Sequence, residues 1–97
     1  SWRRHELDRY VGGPMLVRWG DRLLAGGRRQ SDGAKPVTML YWLADGALHE
    51  ACELPSGGDN SYTGFVPLAG SQALVSYYST HENAPGTHVY LARIERG

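Results

Sequence analysis

The chain has 97 residues and carries ten Lys plus Arg against ten Asp plus Glu, so its formal charge is zero, which excludes an electrostatic nucleic-acid binder. An apolar share of 41% with three Trp, six Tyr and one Phe supplies a packed core and excludes a disordered chain, and the length admits one small domain that gains from self-association. A single cysteine, Cys52, excludes an intrachain disulfide framework and is a poor start for a metal site, so neither metal nor cofactor is expected; no run reaches the ~18 apolar residues of a membrane-spanning helix.

The N-terminal Ser1-Trp2-Arg3-Arg4-His5-Glu6 lacks the apolar centre of a signal peptide, so a soluble chain is expected, its compartment left open. Residues 4–10 alternate at His5 and Leu7 and read as an outer strand. Thirteen Gly and five Pro leave little room for an amphipathic helix, and all-β architecture follows. Met15-Leu16-Val17-Arg18-Trp19, the turn Gly20-Asp21 and Arg22-Leu23-Leu24-Ala25-Gly26 make a hairpin with the shortest kind of loop. After a polar loop over 30–36 comes Val37-Thr38-Met39-Leu40-Tyr41-Trp42-Leu43, rich in β-branched and aromatic residues. The turn Ala44-Asp45-Gly46 then leads into a fourth run over 47–54, completing a meander.

The second half repeats this order with Gly64-Phe65-Val66-Pro67-Leu68, the turn Ala69-Gly70-Ser71, and Ala73-Leu74-Val75-Ser76-Tyr77-Tyr78. A polar loop over 79–86 and Thr87-His88-Val89-Tyr90-Leu91-Ala92-Arg93-Ile94 follow. A shift of about 50 lays Leu23-Leu24-Ala25 on Ala73-Leu74-Val75 and Met39-Leu40 on Val89-Tyr90, and a period of that length holding four short strands marks a β-propeller blade. The single domain 1–97 then divides into an outer closing strand over 1–10, a first blade over 11–56 and a second over 57–97 that lacks its own fourth strand. The expected fold is two four-stranded antiparallel blades, the second completed by the N-terminal strand. Two blades leave faces uncovered, and three copies closing a six-bladed ring cover them, so a homo-oligomer, with a trimer favoured, is the expected partner state. A two-sheet sandwich made by one chain is the competing architecture.

Three segments carry a family resemblance: Leu54-Pro55-Ser56-Gly57-Gly58-Asp59-Asn60-Ser61-Tyr62-Thr63-Gly64-Phe65, then Val75-Ser76-Tyr77-Tyr78-Ser79-Thr80-His81-Glu82, then Val89-Tyr90-Leu91-Ala92-Arg93-Ile94. Together they resemble the last blades of bacterial sialidase-like, BNR-repeat-type six-bladed propellers. Gly12-Gly13-Pro14 and Asp21-Arg22-Leu23-Leu24-Ala25-Gly26-Gly27-Arg28 look like the preceding blade of that group. The resemblance implies a sialidase-like propeller fragment or natural miniature. Members of that family hold a sugar carboxylate with three arginines and attack with a tyrosine activated by a glutamate, an Asp serving as acid/base.

Carried onto this chain, the resemblance places Tyr62 at the nucleophile's position, with Glu82 and Asp59 as the local bases its phenol requires. Arg28, whose planar fork suits a carboxylate, joins His81 and Tyr78 as candidate ligand-binding residues. Each has a structural reading beside the functional one: Tyr62 packing at a strand end, Arg28 as solvated charge, and Asp59 accepting backbone N–H bonds in its own glycine turn. Trp19 and Trp42 stand inside apolar runs and read as core, whereas Trp2 is free to stack on a sugar. The chain departs from the family by lacking a Ser-x-Asp-x-Gly-x-Thr-Trp box, a full arginine triad and the early-blade aspartate.

Three functions remain open on these residues. The first is a carbohydrate-binding module, its ligand an acidic sugar in the form closest to the family, with no nucleic acid and no membrane as partner. The second is a sialidase-type glycoside hydrolase active only in an assembled propeller. The third is a structural remnant without a ligand.

Overall fold

The computed structural model describes residues 3–29, 35–57, 60–79 and 88–96. Their regular structure is all-β, without a helix, and forms two antiparallel sheets. Sheet 1 is the meander of β1 (Gly12–Trp19), β2 (Arg22–Arg29), β3 (Val37–Ala44) and β4 (Ala47–Leu54). Sheet 2 is the meander of β5 (Ser61–Pro67), β6 (Gln72–Ser79) and β7 (His88–Glu95).

The turn residues foreseen in the sequence make the turns. Gly20 opens the β1–β2 hairpin at φ 68°, and Asp45-Gly46 joins β3 to β4 with both residues at positive φ, the twist that two-residue hairpins favour. Strand ends run further than the apolar runs suggest. β1 starts at Gly12 because Gly13, at φ 56°, absorbs a register shift between Gly12 and Met15. β5 starts at Ser61 because a second shift, between Ser61 and Gly64, lets Ser61 pair with Tyr78.

Directly opposed residues of antiparallel strands share a face, so the registers sort the side chains. Trp19, Leu24, Leu40 and Leu54 of sheet 1 bury against Ala73, Val75 and Tyr77 of sheet 2. Phe65 meets Trp19 edge-on across this layer, ring centroids 5.4 Å apart, and Trp19 stacks on Trp42 at 5.9 Å. Trp19 is therefore core as expected, while Trp42 is half-buried. The two sheets close tightly at one end, where the Tyr77 hydroxyl donates to the Pro55 carbonyl at 2.7 Å.

Sheet 1 has a second apolar face built from Ala25, Met39, Tyr41 and Leu48, with Val11, Val37 and Leu43 packed on it. Residues 4–10 depart from the expected closing strand. They contain no strand residue and dock on sheet 1, leaving sheet 2 with three strands. The cause is charge placement: the Leu48 N–H donates to Asp8 Oδ1 at 3.0 Å, and Arg9 pairs with Glu50 at 3.4 Å while its guanidinium lies 5.6 Å from the centre of the Tyr41 ring.

Row by row, the two halves correspond. Val17, Leu24 and Trp42 form one cross-strand row of sheet 1, and Val66, Leu74 and Arg93 form its counterpart in sheet 2. In the next row Met15, Gly26 and Leu40 answer to Gly64, Ser76 and Leu91, and in the third Arg28 and Thr38 answer to Tyr78 and Val89. The ladder thus matches Leu40 with Leu91 rather than with Tyr90, because the connection 80–87 is one residue longer than 30–36. One residue in a strand decides which face a side chain occupies.

Candidate functional site

At the closed end of the sheets, the starts of β1 and β5 lie side by side. The Ser61 hydroxyl donates to the Gly12 carbonyl at 2.7 Å, fastening the two strand starts together. Glycine at 13 is required by its φ of 56°, and side chains press on both glycines. A methyl on Gly12 would lie 2.8 Å from Arg28 Nη2, and one on Gly13 would sit on the Ser61 hydroxyl and 3.3 Å from the Tyr62 ring. Arg28 and Tyr62 consequently flank one glycine pair. Arg28 also donates to the Tyr10 hydroxyl at 3.5 Å.

Tyr62 stands 72% exposed, at φ 54°, on the shift that ends the regular β5–β6 pairing. A bulky residue in the left-handed region is an outlier, and such conformations cluster at functional sites. Its ring stacks on that of Tyr78 with centroids 5.6 Å apart and planes 25° off parallel. The pair makes an open aromatic platform whose near edge is Tyr62 and whose base is the half-buried Tyr78.

Behind the platform lies a buried polar cluster. The Thr38 hydroxyl donates to Asn60 Oδ1 at 2.8 Å, Asn60 Nδ2 donates to the Pro36 carbonyl at 3.0 Å, and the Thr38 N–H donates to Ser56 Oγ at 2.8 Å. These bonds tie the segment between the sheets to β3 and set Ser61 and Tyr62 on their strand.

Of the sequence candidates, the structure brings Arg28, Tyr62 and Tyr78 to one end of the molecule. Asp59, His81 and Glu82 lie outside the described residues, as does Trp2. No carboxylate among the described residues bonds to the Tyr62 hydroxyl. Tyr10 and Ser61 join the site without having been foreseen; the signal available was the Tyr10-Val11-Gly12-Gly13 run, where paired glycines follow an aromatic residue. Among the described residues no group of His, Cys, Asp and Glu can hold a metal ion, and no helix is long and apolar enough to cross a membrane.

The chain matches no protein-family model, and no curated protein or solved structure matches it.

Proposed function

We propose that the protein binds carbohydrate on the Tyr62–Tyr78 platform, with Arg28 and Tyr10 supplying directed hydrogen bonds at its edge. The observation that carries the reading is the exposed, conformationally strained Tyr62 ring stacked on Tyr78 beside Arg28. Stacked aromatic rings offer a sugar an apolar face, and a guanidinium fork suits the carboxylate of an acidic sugar. A glycan array followed by calorimetry on the best sialylated ligand tests it. Tyr62→Ala is expected to weaken binding about tenfold, a loss of the size of one aromatic contact. The absence of any selective glycan signal sinks the reading.

The strain at Tyr62 gives the hydrolase reading its own support, since sialidase-type attack needs a tyrosine held in place. Tyr62→Phe separates the two. A binder keeps its affinity in this variant, whereas a hydrolase loses turnover of a fluorogenic sialoside.

The propeller-like arrangement with closure by further copies belongs to the same proposal. Its support is the correspondence of faces: Val17, Leu24 and Leu40 point toward sheet 2, and their counterparts Val66, Leu74 and Leu91 point away from sheet 1. That same outer face leaves Val66, Val89 and Leu91 exposed at 57, 77 and 70%. Units that repeat by stacking present the same face forward each time, and an apolar face left open marks an interface. The next copy's sheet 1 side, where Leu7, Tyr10 and Leu16 are exposed, is the complementary surface, and head-to-tail contacts of this kind make a ring when the rotation from copy to copy closes.

A further inference from the structure

A groove between the sheets stands apart from both the tyrosine platform and the outer face of sheet 2. It lies away from the Tyr77–Pro55 bond, measures about 420 Å³, the size of a small-molecule site, and is floored by Trp19, Leu24, Leu40 and Trp42. The two indoles stack with centroids 5.9 Å apart and planes 26° off parallel. Ala51 and Cys52 of β4 form one wall, and residues 93–96 form the other. The Arg96 N–H donates to the Ser71 carbonyl at 2.7 Å, extending the β6–β7 pairing past Glu95. Alternation along this strand turns Ile94 and Arg96 into the groove and leaves 93 and 95 to border it with backbone.

The registers sort the charges as well. Arg22 opposes Trp19 and shares the groove side of sheet 1, its guanidinium 3.8 Å from the centre of the Trp42 ring. The Arg96 guanidinium lies 5.5 Å from the centre of the Trp19 ring and rests against the β1–β2 turn, where a methyl on Gly20 would fall on it. The acids of the strands all point elsewhere. Glu50 and Glu53 meet Arg9 and Arg29 on the far face of sheet 1, and Glu95 accepts from Ser71 on the outer face of sheet 2, where Arg93 donates to Gln72. His49, opposite Trp42, brings no negative charge, and Asp21 and Asp45 lie in exposed turns. Among the described residues neither Arg22 nor Arg96 pairs with a carboxylate. The groove side therefore carries two cations without a counter-charge. A guanidinium laid over a ring keeps its N–H fork, which lies in its own plane, available to an oxyanion.

We propose that this groove binds a small flat aromatic carboxylate, its rings against Trp19 and Trp42 and its carboxylate at the Arg22 and Arg96 guanidinia. The indoles specify the flat aromatic body, and the two unpaired cations specify the charge.

The test is calorimetry with four probes, 2-naphthoate, 2-naphthamide, 2-naphthylmethylammonium and octanoate, while the indole N–H resonances of Trp19 and Trp42 locate the bound probe. Saturable binding of naphthoate is expected, about tenfold tighter than the amide or octanoate, with no binding of the ammonium and with shifts at both indoles. Arg22→Gln combined with Arg96→Gln, its fold checked by circular dichroism, is expected to weaken naphthoate about tenfold and to leave naphthamide unchanged, since the rings remain. No binding of naphthoate overturns the proposal. So does equal binding of the four probes, octanoate binding as tightly as naphthoate, unchanged naphthoate affinity in the double variant, or shifts at neither indole. Loss of naphthoate binding in Tyr62→Ala assigns the probe to the tyrosine platform instead, and overturns it too.

Discussion

Tyr62 holds an aromatic side chain on a left-handed backbone, a state that costs an L-residue roughly 1–2 kcal/mol and glycine almost nothing. Tyr62→Gly is therefore expected to be more stable than Tyr62→Ala by about 1 kcal/mol in urea unfolding, reversing the usual order of these residues in a strand, while both lose glycan binding. Thr38 makes the opposite case, a residue whose polarity serves burial. Thr38→Val keeps its shape but leaves Asn60 Oδ1 without the hydroxyl donor inside the protein, and is expected to cost about 1–3 kcal/mol in the same assay. Neither effect was legible in the sequence. Asn60 and Ser61 lie in a polar run between the candidates Asp59 and Tyr62, yet both are fully buried and serve as anchors. A small polar residue announces hydrogen bonding without saying whether its partner is a ligand or the backbone.

Among elements, the N-terminal segment is held to sheet 1 by a charge-dependent contact. The Leu48 N–H, donating to the Asp8 carboxylate, holds its pKa below the ordinary aspartate value. A depressed carboxyl pKa means that the contact is complete above the unfolded value of about 3.9 and is lost as pH falls through the lower folded value. Acidification is expected to release residues 4–10 in that window, read as faster exchange of the Leu48 amide, and Asp8→Asn is expected to remove the pH dependence. Strand order and turns were readable because Gly20, Asp45-Gly46 and Gly70 punctuate apolar runs. The docking of residues 4–10 was not, since His5 and Leu7 alternate as a strand does while the contacts that decide their place come from Asp8 and Arg9, on residues more than 35 positions away. Burial pushes the Tyr41 phenol up, against the lowering pull of the Arg9 guanidinium beside it. Its hydroxyl makes no hydrogen bond of ordinary geometry among the described residues, so Tyr41→Phe is expected to be tolerated within about 1 kcal/mol.

For the whole molecule, the outer face of sheet 2 sets the expected state of association. Light scattering is expected to give a multiple of the 10.7 kDa chain mass, about three for a six-bladed ring, and Val89→Lys with Leu91→Lys is expected to return the monomer by placing two desolvation-averse cations on that face. A monomeric wild type removes the ring. The internal repeat was visible as a spacing of similar runs, but not the alignment of its last strand, because that depends on the single extra residue in the second connection. The meander has a kinetic corollary. All five ladders join strands that are neighbours along the chain. Each sheet can therefore zip outward from its tight turns with little loop-closure entropy, and the docking of Phe65 on Trp19 forms after both. Tryptophan fluorescence, which senses that docking, should consequently lag behind the far-ultraviolet dichroism that senses the hairpins, so the order of assembly can be timed from one stopped-flow mixing experiment.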